Sequence, residues 1–177
     1  MKRCVCSIFA AVVLLSTVAF SQAPPMPKPG AEQKKLEYFA GNWKSEGDMK
    51  PGPMGPGGKF SGTTKAEMMD GGFFLILNSD MNMAGFGPGK GVAVMGYRPE
   101  DKKYSYYEVN SFGEEEIATG TVDGNTWTWS DEHKMNGQVS KGRYTAKITS
   151  PTAYDFKYEV STGGDYATVM EGKATKQ

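Results

Sequence analysis

The chain has 177 residues, with 20 basic and 20 acidic side chains, one histidine and two cysteines. So even a balance gives no electrostatic reason to bind nucleic acid, whose affinity rests on clustered Lys and Arg neutralising phosphates, or to bind an anionic membrane surface. Cys4 and Cys6 both stand at the extreme N-terminus, which excludes a disulfide framework, thiol catalysis and cysteine metal sites from the rest of the chain.

Lys2 and Arg3 precede an apolar run from Ile8 to Phe20, followed by the small-residue site Ser21-Gln22-Ala23. That order of charge, apolar core and small residues predicts a cleavable signal peptide over residues 1 to 23. The run falls short of the roughly 20 residues of a spanning helix, and no cysteine follows the site where a lipoprotein needs one. The expected product is secreted or periplasmic, without a stable membrane anchor. Cleavage takes 23 of the 177 residues and leaves 154, enough for one domain that needs neither disulfides nor a structural metal. Losing Lys2 and Arg3 brings its net charge to about −2.

Four prolines between Pro24 and Gly30 predict a mobile tail. The single domain then occupies residues 31–177. From Ala31 to Phe39 good helix formers place Leu36 and Phe39 on one face of a short amphipathic helix, which Gly41 ends. Beyond it, β-branched and aromatic residues alternate with polar ones, predicting strands near 42 to 49, 59 to 69, 73 to 83, 91 to 98, 103 to 111, 115 to 122, 125 to 130, 140 to 149, 153 to 161 and 166 to 175. Tight joints such as Asp70-Gly71-Gly72, Asp123-Gly124-Asn125 and Thr162-Gly163-Gly164-Asp165 make consecutive strands neighbours. About ten short strands leave exposed edges unless they close, so the predicted fold is all-β: an up-and-down antiparallel barrel with one short N-terminal helix.

Tyr154, Phe156, Tyr158 and Val160 alternate with polar residues, and Trp127, Trp129, Tyr144, Ala146 and Ile148 repeat the pattern, as strands with one wet face do. The short helix followed by Gly41-Asn42-Trp43 resembles the opening of the calycins, the superfamily of lipocalins and fatty-acid-binding proteins. The longer runs KKLEYFAGNWKSEGDMKPGPMGPGGKFSG (Lys34 to Gly62), GKGVAVMGYRPEDKKYSYYEVNSFGE (Gly89 to Glu114) and GTVDGNTWTW (Gly120 to Trp129), with VMEGKAT near the end, are similar to the bacterial family called domain of unknown function 1579, grouped with the calycins. The resemblance spans nearly the whole mature chain. It implies the barrel and supplies no catalytic residues.

The glycine-rich stretches Pro51 to Gly58 and Gly85 to Gly91 lack the Walker and dinucleotide spacings and lead into strands, so both are expected to be long loops at the barrel rim. His133, flanked by Asp131, Glu132, Lys134 and Met135, reads as part of a polar turn between Trp129 and Val139. The related nitrobindin barrels bind haem through a histidine, but a turn position does not offer one to the interior, and no cofactor is expected. Met81 and Met83, with His133, are the soft ligands that exported copper would use; filling apolar space is the commoner task of methionine.

Tyr106, Glu108 and Asn110 share one face of a strand. Tyr107 and Val109 on the other face are apolar as well, so the strand leaves its own phase open. The rarity of buried carboxylates favours the solvated arrangement; an inward Glu108 would need protonation or a partner such as Arg98 and would be the chain's acid-base candidate. The sequence thus points to a non-enzymatic binding protein that holds a small apolar or aromatic molecule in a cavity lined by Trp43, Tyr106, Glu108, Trp127, Trp129, Tyr144, Phe156 and Tyr158. An enzyme built on a buried Glu108, or a filled barrel with an exposed apolar patch serving interactions, are the alternatives.

Overall fold

The computed structural model describes residues 26–52, 55–135 and 137–177, and the expected signal peptide lies outside them. Residues 26–30 have no regular structure. α1 (Ala31–Lys35) runs directly into a tighter 3-10 turn, Leu36–Phe39. The expected helix is therefore two pieces, and it ends at Ala40, because Gly41 already opens the first strand.

Ten strands follow: β1 (Gly41–Met49), β2 (Gly58–Met68), β3 (Leu75–Met83), β4 (Gly87–Arg98), β5 (Lys103–Asn110), β6 (Glu115–Asp123), β7 (Thr126–Met135), β8 (Gln138–Ser150), β9 (Ala153–Ser161) and β10 (Ala167–Lys176). Every strand pairs antiparallel with its neighbour in sequence, and β1 pairs with β10 to close the barrel. Closure leaves no unpaired edge. The chain is an all-β, ten-stranded up-and-down barrel with one short N-terminal helix, as the turn chemistry and strand spacing indicate. Among the described residues no helix is long and apolar enough to cross a membrane.

Two stretches differ from the sequence reading, both for the same reason. Gly87 to Lys90 is the first part of β4 and not a rim loop, and β7 continues through Met135, so that His133 lies on a strand and not in a turn. In each case the inward positions are glycine or polar. An interior of that kind hides the apolar alternation on which strand recognition depends.

The helix closes one end of the barrel. Leu36 is fully buried, and Phe39 sets its ring edge-on to Trp127 and Tyr154 at centroid distances of 5.1 and 5.7 Å. With Leu75, Met95, Tyr104, Ala118, Trp129 and Ala146 they form one packed cluster, in which each large apolar side chain contributes about 1.5–3 kcal/mol of burial. Polar ties hold the cap in place: the Trp43 indole N–H donates to the Phe39 carbonyl at 2.7 Å, and the Tyr104 hydroxyl donates to the Glu32 carboxylate at 2.7 Å. The opposite end carries the hairpin connections after β1, β3, β5, β7 and β9.

On the outside, Val92, Val94, Tyr107, Val109 and Ile117 are cross-strand neighbours on β4, β5 and β6. Ile117 is 66% exposed and Val92 47%. This apolar strip explains why β5 reads as apolar on both faces.

Candidate functional site

The phase of β5 is settled by burial. Tyr107 and Val109 are exposed while Tyr104 is buried, and side chains two apart share a face, so Tyr106, Glu108 and Asn110 point into the barrel. The solvated arrangement favoured by the rarity of buried carboxylates is thereby corrected. Arg98 is not the partner of Glu108: its guanidinium lies outside, 3.1 Å from Asp101. The partner is the Tyr106 hydroxyl, which donates to the Glu108 carboxylate.

The same face rule carries along the neighbouring strands. On β6, Ala118 is buried, so Glu116 is inward; on β7, Trp127 and Trp129 are buried, so Asp131 and His133 are inward. On β8, Ser140, Gly142 and Tyr144 face the interior, and on β9 so do Phe156 and Tyr158. The Asp131 carboxylate lies 2.9 Å from His133 Nδ1 and accepts its proton when the imidazole carries one there. A Cβ at Gly142 would collide with the Asp131 carboxylate and with the Tyr158 hydroxyl, which locates those two groups against that glycine. Likewise a side chain at Gly91 would strike Glu108, with Met81 next to it. Ser140 is 1% exposed, and its hydroxyl has no hydrogen-bond partner among the described residues.

The lumen is therefore two-sided. β5 to β9 present Tyr106, Glu108, Glu116, Asp131, Tyr144 and Tyr158, whereas β1 to β3 and β10 present Met49, Phe60, Met81, Met83 and Met170 between small residues such as Ser45, Gly62 and Ser79. Burial pushes the Glu116 carboxyl up to about 7, with Asp131, Glu108 and Glu114 adding repulsion in the same direction. Burial also raises Glu108, against the opposing hydrogen bond from Tyr106. Desolvation lifts the hydroxyls of Tyr106 and Tyr144 well above the ordinary phenol value, so they remain neutral donors.

Of the residues expected to line a cavity, Tyr106, Glu108, Tyr144 and Tyr158 are at inward positions and only partly buried. Trp43, Trp127, Trp129 and Phe156 are at most 7% exposed and form its packed floor. Trp127 stacks on Trp129 with an interplanar angle of 17° and meets Tyr104 at 4.6 Å between centroids. Glu116, Asp131 and Ser140 are additions. Their signal in the sequence is the continued period of two, from Trp127 and Trp129 to Asp131, and from Gly120 and Ala118 to Glu116.

Metal and haem ligation can be tested on the same geometry. Met81 and Met83 are on β3 and His133 on β7, four strands away, and among the described residues no three His, Cys, Asp or Glu side chains are placed to hold a metal. His133 does face inward, but Asp131 engages its ring, and Glu108 and Glu116 share its wall. Those carboxylates would face the propionates of a haem with no Lys or Arg among them, so the surroundings of His133 do not suit that group. A separate hollow of about 520 Å³ lies along the outer surface of β2 to β4, where its two lysines and Asp80 are exposed and Lys90 pairs with Asp80.

Among solved structures, the barrel is similar to that of Rv2717c from M. tuberculosis, at TM-score 0.58 and 13% identity, over 84% of this chain and 98% of that one. It is similar also to the S-type phycobiliprotein lyase CPES from Guillardia theta, at TM-score 0.55 and 8% identity, over 82% of this chain and 92% of that one. At such identities the likeness is one of fold. No curated protein matches the chain. The family described as Protein of unknown function (DUF1579) matches residues 28–176, and the chain belongs to that family.

Proposed function

We propose that this protein is exported and holds a small apolar or aromatic molecule in the lumen of its barrel. The observation that carries the reading is the incomplete filling of the middle of the barrel. Ser45, Gly62, Thr64, Ser79 and Tyr144 all point inward from mid-strand, and all keep accessible surface. A packed core would bury them. The small residues stand opposite the tyrosines, and the inward positions of the two sides are phenols and methionines, which suits an apolar body with a few polar contacts.

Export rests on the N-terminal pattern of charge, apolar run and Ser21-Gln22-Ala23. N-terminal sequencing of the protein recovered outside the cytoplasm should begin at or near Pro24. Recovery of chains that still begin at Met1 would refute it.

Binding is tested by tryptophan emission. Tyr106 lies 5.7 Å from Trp129 and Tyr144 5.7 Å from Phe156, so a molecule that displaces water above this floor changes the surroundings of the indoles. A titration with small aromatic alcohols and amines should shift or quench the emission. No change with any of them would remove the reading and favour the exposed strip at Val92, Tyr107, Val109 and Ile117 as the working surface.

A further inference from the structure

We infer that the ligand is an organic cation, an amine with an apolar or aromatic body, whose ammonium is held by Glu116, Asp131 and Ser140 on the β6 to β8 wall. This deepens the lumen-binding reading and rests on it.

The first support is the charge carried by the interior. Three carboxylates, Glu108, Glu116 and Asp131, face the lumen, and Glu114 stands at its mouth, where its carboxylate accepts from the Asn110 side-chain amide at 2.9 Å. The lysines and arginines of β1 to β9 occupy the outward positions of their strands. Lys176, the basic side chain at an inward position of β10, lies at the helix-capped end, where it reaches the Tyr38 carbonyl. Among the described residues no Lys or Arg side chain stands on that wall, and the His133 ring faces Asp131. An acid wall without a lysine or arginine repels a fatty-acid carboxylate and favours a cation brought in by a ligand.

The second support is independent of charge. The Ser140 hydroxyl is buried on the same wall, next to His133 across the β7–β8 ladder, and is unpartnered among the described residues. A buried hydroxyl without a partner is costly, and a ligand donor relieves it. An ammonium has three donors and no acceptor. Glu116, the Asp131 Oδ1 that His133 leaves free, and Ser140 supply three acceptors, while Glu108 stands further along the wall with Tyr106 bonded to it. Two further features favour an organic cation over a metal ion. Among the described residues no three His, Cys, Asp or Glu side chains form a metal site, and Tyr144, Tyr158, Phe60 and the methionines offer ring faces and polarizable surface to the body that carries the charge.

The test uses the purified protein and three probes of one shape: 2-phenylethylamine, 2-phenylethanol and 3-phenylpropionate, titrated at pH 7.5 by calorimetry. The expected order is amine, then alcohol, with the anion weakest, and the amine ahead of the alcohol by about tenfold to a hundredfold, as for a charge-assisted hydrogen bond. Glu116→Gln combined with Asp131→Asn should abolish that preference, bringing the amine down to the alcohol's affinity or below. The double variant removes buried like charge, and its urea unfolding, measured beside the single Glu116→Gln variant that keeps the Asp131–His133 contact, shows that it is folded. Ser140→Ala should weaken the amine more than the alcohol. Equal affinity for amine and alcohol, or an amine preference that survives the double variant, overturns the inference while the lumen reading stands. Failure of all three probes to bind overturns both.

Discussion

Trp127→Ala should lower the stability of the protein by about 3–5 kcal/mol, the usual range for truncating a buried tryptophan, and the melting temperature by on the order of 10 °C. The indole is 2% exposed and is gripped by Phe39, Tyr104 and Trp129. Its removal leaves a void between the helical cap and the lumen floor, and surrounding rings held on closed β-strands have little freedom to collapse into it. An indole that merely lined an open cavity would behave differently: its loss would enlarge the cavity, leave stability almost unchanged and weaken only the ligand. Equilibrium urea unfolding of the variant separates the two. A change below about 1 kcal/mol would place Trp127 in the lumen lining and move the floor of the site towards α1.

The same contrast shows which parts of the molecule its sequence displays. Tyr154, Phe156, Tyr158 and Val160 alternate with polar residues, and a strand of that kind announces itself by alternation; β9 spans Ala153–Ser161, as the alternation indicates, although Glu159 and Ser161 on its outer face are buried. Glycine-rich turns with left-handed residues, such as Gly71, Gly124 and Gly163, mark the hairpins for the same local reason. What local chemistry conceals is the site. The inward positions beyond Trp129 are Asp131 and His133, which look like a solvated turn until the strand that carries them is seen to continue. Glu108 is hidden by the opposite device, since Tyr107 and Val109 put apolar residues on the outer face and cancel the contrast between the two sides. Glu116 passes unnoticed between Glu115 and Ile117, the latter the most exposed large residue of that outer strip. A polar lumen under an apolar outer strip reverses the rule by which strands are oriented, and only the register of neighbouring strands restores it.

Glu116→Gln should raise stability above pH 7 by about 3 kcal/mol and leave it unchanged below about pH 4.5. In the unfolded chain this carboxyl releases its proton near the ordinary value of 4.5, whereas in the folded barrel burial and the neighbouring Asp131 and Glu108 hold the proton to about 7. Between those limits the folded state binds more protons than the unfolded one, so stability falls as pH rises through the window and stays at the lower level above it. Each pH unit of the window corresponds to about 1.4 kcal/mol, which gives the expected gain for a glutamine that never ionises. The raised Glu108 acts in the same direction, so the variant should keep a residual slope of the same sign. Urea unfolding of both proteins at pH 4.5 and pH 8 measures the difference directly. A variant no more stable than the parent at pH 8 would mean that Glu116 is ionised and solvated in the folded protein, and the acidic wall would then lose its pull on a cation. If instead the gain appears, adding 2-phenylethylamine to the parent at pH 8 should recover much of it, because a bound ammonium supplies the positive charge that the folded wall lacks.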